Sequence, residues 1–164
     1  MNRMIPHEDN LIESRRQAIQ AEIDARKTPA ERNRLGQFAT PNALAVEIAR
    51  YVQSVLGRTK GSLRFSDPSI GSDSFFSAAL AIFGSKRISS AVGVEIDSAF
   101  ADAARNLWAN AGLEVARGDF TRIVATNSCP PAPNIILANP PYVRHHHMNR
   151  EDKERLQGLT FKMT

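Results

Sequence analysis

The chain has 164 residues with 42% hydrophobic content, which fits one globular domain with or without a helical extension and excludes a disordered chain. Lys and Arg total 21 against 17 Asp and Glu, and the formal charge of +4 is compatible with a nucleic-acid partner without requiring one. No apolar run approaches the ~20 residues of a membrane span, Met1 to Asn10 lacks a signal-peptide core, and the single Cys129 excludes an internal disulfide and suits a reducing cytoplasm.

Residues 1–27 read as a charged arm containing a helix, with Ile12, Ile19 and Ile23 on one stripe. Arg15, Arg16, Arg26 and Lys27 lie off that stripe and read as a solvated face, with direct DNA contact as the other reading. Thr28-Pro29-Ala30-Glu31 has the form of a capping box, opening a short helical turn that should stop at Gly36. A second start at Thr40-Pro41 leads into Leu44, Ile48, Tyr51, Val52 and Val55, an amphipathic stripe ended by Gly57. Then the rhythm changes. Leu63 to Asp67 reads as a strand, and Phe75, Phe76, Ala79, Leu80 and Phe83 as a helix closed by Gly84. Ala91 to Glu95 reads as a buried strand, Phe100, Ala104, Leu107 and Trp108 as a helix closed by Gly112, and Leu113 to Arg117 as a third strand. Asn134 to Asn139 contains Ile135-Ile136-Leu137-Ala138, suited to a strand buried on both faces. Alternating strands and helices predict an α/β fold with a parallel, Rossmann-like sheet.

Ligands of such sheets bind beyond the carboxyl ends of the strands. Four polar features fall there: Asp67 to Phe75, Glu95, Asp119-Phe120, and Asn139-Pro140-Pro141-Tyr142. The first turn has one glycine, Gly71, between Asp67 and Asp73. A pyrophosphate cradle needs several glycines and no carboxylates, so this turn suits a cationic ligand such as S-adenosylmethionine, which carries a sulfonium and an ammonium. Glu95 is positioned to accept ribose hydroxyls and Asp119 an adenine amino group, with Phe120 packing on the ring. The plainer readings are a helix cap for Glu95 and Asp97, and a turn aspartate for Asp119.

The tetrapeptide carries the chemistry. Its prolines remove backbone donors and hold the chain extended, so the Pro140 carbonyl and the Asn139 side-chain oxygen can accept both protons of an exocyclic amine. Held that way, the nitrogen is favoured in a pyramidal form that can attack a methyl group. Tyr142 offers a stacking face for an everted base. A Pro-Pro turn ending a strand is the plain alternative. Cytosine-C5 methylation would need a thiolate in the active loop, and Cys129 precedes the fourth strand instead. His145, His146 and His147, flanked by Arg144 and Arg150, read as a polar loop beside the substrate channel and not as a metal site.

Together these residues resemble the gamma-class adenine-N6 DNA methyltransferases of restriction–modification systems, over about residues 28 to 156. Arg34 to Pro41 looks like that family's amino-terminal cofactor segment, which implies that Gln37, Phe38 and Thr40 contact S-adenosylmethionine. Asp67, Pro68, Ser69 and Gly71 match its glycine turn, Glu95 with Ile96 its ribose-binding position, and Asp119-Phe120 its adenine-contacting pair. Asn139, Pro140, Pro141 and Tyr142 are identical to its catalytic signature. Similar tetrapeptides occur in RNA and protein-glutamine methyltransferases, and the amino-terminal segment favours DNA.

Two departures stand out. The family usually has glycine where this chain has Asp73, which could cap the next helix, pair with a ligand ammonium, or weaken cofactor binding. Its sheet has seven strands and an added target-recognition domain, whereas this chain stops after a predicted fourth strand. The expectation is therefore a helical arm over 1–40 and a partial S-adenosylmethionine-binding catalytic domain over 41–164. Its partners would be double-stranded DNA and a second polypeptide that completes the sheet, with no membrane. The rival readings are an RNA or protein-glutamine methyltransferase with the same tetrapeptide, and an inactive truncated module that binds a partner or nucleic acid.

Overall fold

The computed structural model describes residues 7–35, 38–57, 61–123, 132–141 and 150–160. Gln37, Cys129, Tyr142, Arg144 and the histidine run 145–147 lie outside the described residues. The helices are α1 (His7–Ala25), α2 (Pro29–Leu35), α3 (Asn42–Leu56), α4 (Ser74–Phe83), α5 (Ser98–Trp108), α6 (Phe120–Ile123) and α7 (Arg150–Thr160). The strands are β1 (Leu63–Asp67), β2 (Ile88–Glu95), β3 (Leu113–Arg117) and β4 (Ile135–Ile136).

All four strands run parallel, in the order β3-β2-β1-β4. The first three step one way and β4 lies on the other side of β1, so the strand order reverses between β1 and β4. A crevice opens at such a reversal, beyond the carboxyl ends of the strands. Alternation supplies the core: Leu63, Phe65 and Asp67 of β1 are buried, while Arg64 and Ser66 between them are half-exposed. Phe76 of α4 sits at the centre, 5.4 Å from the Phe65 ring and 5.3 Å edge-on from Trp108 of α5.

Strands β1 and β3 and helices α4 and α5 fall where the sequence pattern puts them. The capping box forms, with Thr28 N–H donating to Glu31 Oε2 at 2.7 Å and Glu31 N–H to Thr28 Oγ1 at 3.2 Å.

Three expectations change. On α3 the buried residues are Ala45 and Ala49, while Leu44, Tyr51 and Val55 are exposed, Tyr51 at 70%. Ile48 and Val52 of the expected stripe do pack against the core, and the small Ala45 and Ala49 beside them, which a search for large apolar residues passes over, let α3 lie close against α4. Second, β4 is shorter than Asn134–Asn139 and is not buried on both faces: Ile135 and Leu137 are buried, but Ile136 is 60% exposed.

Third, α1 does not present its charges only to solvent. Arg15 and Arg26 do face outward, but Arg16 is 2% exposed and Lys27 is half-buried. The inner face of α1 runs through Arg16, Ile19, Gln20, Ile23 and Asp24 and is continued by Lys27 just past the helix end, so it is largely polar, and the helix packs against α5. Arg16 grips Glu13 with two nitrogens, at 2.9 and 2.7 Å, and reaches Ser72 Oγ at 2.8 Å and Gln20 Oε1 at 3.0 Å. A buried guanidinium needs that full set of acceptors. Burial alone would raise the Glu13 carboxyl. Hydrogen bonds from Arg16, Ser77 and Gln17 outweigh it and hold the group below its usual range.

Candidate active site

The turn after β1 is built around a close approach. Ile70 is buried over Gly93 of β2, where an added Cβ would lie 2.0 Å from Ile70 Cδ1 and 3.1 Å from its Cβ. Ile70 N–H donates to Val94 O at 3.0 Å, fastening the turn to β2. Gly71 follows at φ 53, a left-handed conformation that costs glycine little. Its N–H donates to Glu95 Oε2 at 2.8 Å, and the other carboxylate oxygen takes the Asp97 N–H at 2.8 Å. Glu95 is therefore fixed by two backbone donors from different loops. Burial pushes its carboxyl up, and those N–H groups offset part of the rise.

Asp67 turns into its own loop, where Oδ1 accepts from Ser69 N–H at 2.9 Å. Its burial pushes the carboxyl up to about 7, against the Ser69 hydrogen bonds and with the nearby Glu95 charge. Asp73 is the anomaly. It is fully buried in a left-handed conformation, φ 73, and neither carboxyl oxygen has a hydrogen-bond partner among the described residues. It makes no side-chain cap to α4 and lines neither cavity described below, so neither helix capping nor contact with a bound ligand accounts for it. Burial, with the charge of Asp67, drives its carboxyl well above the usual range.

These loops enclose a cavity of about 410 Å³ beyond the carboxyl ends of the strands. Of the residues expected at the site, Phe38, Pro68, Ser69, Gly71, Glu95, Ile96, Asp119, Phe120, Asn139, Pro140 and Pro141 line it. Asp67 and Thr40 line a smaller adjoining space of about 40 Å³, shared with Gly71 and Asn139. So the four features read at the strand ends meet in one place. Gln37 and Tyr142 lie outside the described residues.

The wall is chemically biased. Its charged members are Asp24, Glu95 and Asp119, with no Lys or Arg among the described lining residues, in a chain whose net charge is +4. Apolar surface comes from Phe38, Ile96, Phe100 and Phe120. Asp119 is already engaged: Oδ1 accepts from Thr121 N–H at 2.9 Å and Oγ1 at 2.6 Å, and Oδ2 faces Arg155 at 3.4 Å and Arg122 at 3.5 Å. Asp24 and Phe100 were not foreseen as wall residues. Both come into reach because α1 packs on α5, a tertiary contact with no local signature.

Asn139 is held from the amino-terminal segment. Its Nδ2 donates to Phe38 O at 3.2 Å and to Thr40 Oγ1 at 3.2 Å. A backbone carbonyl can only accept, so the contact fixes which end of the amide is nitrogen. Oδ1 is left as an acceptor with no protein donor among the described residues.

No family model matches the sequence. Among solved structures, the chain is similar to the type I restriction–modification methyltransferase subunit from Streptococcus thermophilus. The TM-score is 0.54 and the identity 21%, over 64% of this chain and 23% of that one. It is also similar to a protein from Pyrococcus horikoshii proposed to be an RNA methyltransferase, with TM-score 0.52 and 20% identity, over 75% of this chain and 57% of that one. The chain thus spans about a quarter of the first neighbour and somewhat over half of the second. The fold is the Rossmann-like sheet of class I methyltransferases.

Proposed function

We infer that this chain carries the cofactor pocket and amine-holding residues of an S-adenosylmethionine-dependent methyltransferase acting on adenine N6 in DNA. The observation that carries the reading is the fixed amide of Asn139. Its nitrogen is committed to Phe38 and Thr40, which leaves its oxygen as the acceptor of a residue that lines the cavity together with Pro140.

The cavity residues fit the methyl donor. A volume of about 410 Å³ suits a ligand of nucleoside size, and acids without bases suit a cation. Glu95, anchored by Gly71 and Asp97, keeps lone pairs to receive ribose hydroxyls. Ile96 and Phe120 offer apolar surface to a flat ring. When bound, S-adenosylmethionine supplies an electrophilic methyl group.

The chain's own residues manage the acceptor. Asn139 Oδ1 and the Pro140 carbonyl each accept a hydrogen bond from one N–H of the amine, which stays bonded to its protons while its lone pair is turned outward. Pro140 and Pro141 carry no N–H that would compete for those acceptors. Tyr142 remains the proposed stacking face. DNA is favoured by the Arg34 to Pro41 segment, whose Phe38 and Thr40 are the residues that hold Asn139. The Pyrococcus neighbour, as described, makes RNA the competing substrate.

The test is transfer of a radiolabelled methyl group by the full-length protein to double-stranded DNA, RNA or a release-factor peptide. The expected result is label on adenine N6 of DNA, abolished by Asn139→Ala. Label in RNA or peptide alone would replace the substrate assignment, and label in none would overturn the reading.

A further inference from the structure

The cavity wall contains an acid that neither the strand-end loops nor the tetrapeptide supplies. Asp24 projects from the last turn of α1, outside the sheet altogether, yet lines the same space as Gly71 and Glu95. It differs from the other two acids in its company. Glu95 takes two backbone N–H groups, and Asp119 takes Thr121 with Arg122 and Arg155 near by. The side chain of Asp24 takes only the Gln20 amide, at 3.5 Å, among the described residues. Among the described residues it is the wall acid with the fewest hydrogen-bond and ion-pair partners.

Its position is also built. Arg16 and Gln20, two turns and one turn earlier, both meet Ser72 of the glycine turn, at 2.8 Å each. Lys27, one turn later, pairs with Asp97 and stands 4.7 Å from the Phe100 ring centre. Helix α1 is therefore fastened to the site on both sides of Asp24. Gln20 links Asp24 to Ser72, which puts the acid on the glycine-turn side of the cavity.

We propose that Asp24 is a ligand-binding residue that receives the ammonium group of the methyl donor's amino-acid portion, making α1 a wall of the pocket. This rests on the cofactor reading above and adds to it a residue and a ligand moiety.

The test is calorimetric titration of the full-length protein and Asp24→Asn with two probes. S-adenosylhomocysteine carries the ammonium group. 5′-Methylthioadenosine keeps the nucleoside and lacks the amino-acid portion. The variant should bind S-adenosylhomocysteine about tenfold more weakly, as expected for loss of a charge-assisted contact, and bind methylthioadenosine within about twofold of the parent. Equal weakening of both probes would show that Asp24 only shapes the wall, and unchanged binding of both would remove it from the site. Either result leaves the cofactor reading standing. If the unaltered protein binds neither probe, the cofactor reading itself fails and Asp24 with it.

Discussion

The side-chain amide of Asn139 donates to the backbone carbonyl of Phe38 at 3.2 Å, across 101 residues of sequence. The segment before α3 and the loop after β4 are thereby locked together, and the second donor contact, to Thr40 Oγ1, completes the orientation. Thr40→Val keeps the shape and removes that hydroxyl. The methyl-transfer rate should fall about five- to tenfold, as for loss of one net hydrogen bond of ~1 kcal/mol. Thr40 lines the smaller space beside the main cavity, so affinity for S-adenosylhomocysteine should fall less than the rate does. Single-turnover kinetics alongside calorimetry separates the two, and an unchanged rate would show that Asn139 does not depend on Thr40.

Gly93 admits Ile70 where any Cβ would collide with it. Gly93→Ala must push Ile70 from its seat and the Gly71 turn with it, so stability should drop by roughly 1–3 kcal/mol and ligand binding should weaken. Ile70→Val removes the atom in closest conflict. In the double variant much of the loss should return, a coupling that denaturant melts of all four proteins would reveal. Additive losses would mean that the two residues act separately.

Asp73 combines a left-handed backbone with a buried carboxyl that has no hydrogen-bond partner among the described residues. The backbone alone costs a non-glycine residue about 1–2 kcal/mol, and an unpaired buried polar group adds to that. Asp73→Gly should therefore stabilise the protein by at least about 1 kcal/mol, despite the small space it leaves. Urea unfolding at constant m-value is the measurement. A loss of stability would show that the carboxyl has a favourable role in the fold.

The carboxyl of Asp67, raised to about 7 by burial, makes stability depend on pH. In the unfolded chain the same group titrates near ~3.9. Between those values the native state holds a proton that the unfolded state has released, so stability falls as pH rises. The contribution is complete below about pH 4, is lost on approaching pH 7 and is flat above it. Asp67→Asn keeps an oxygen for the Ser69 N–H and cannot titrate. Its stability relative to the parent should climb from pH 4 to pH 7 and then level off. A constant difference would mean that the carboxyl ionises normally in the fold.

Local signals made the strand-and-helix alternation legible. Leu63 to Asp67 and Leu113 to Arg117 are bounded by glycine or turn residues, and the capping box at Thr28 needs only four residues. The rim features were legible because strand ends in a parallel sheet point one way. What escaped depends on neighbours distant in sequence. Nothing near Gly93 announces that Ile70 will sit on it. The inner face of α1 carries Ile19 and Ile23 of the apolar stripe, but Arg16, Gln20 and Asp24 lie between them because their partners are the glycine turn and its surroundings, so a search for apolar periodicity passes over them. On α3 the same search finds Ile48 and Val52, which pack, but adds the exposed Tyr51 and Val55 and omits Ala45 and Ala49. Asp24 reaches the cavity from that mixed face of α1.

The most direct measurement is a crystal structure of the full-length protein with S-adenosylhomocysteine. The ligand should lie in the cavity between Gly71, Glu95 and Asn139, its ribose hydroxyls within about 3 Å of the Glu95 carboxylate. A ligand bound elsewhere on the molecule, or none bound at saturating concentration, would contradict the assignment of this crevice to a methyl donor.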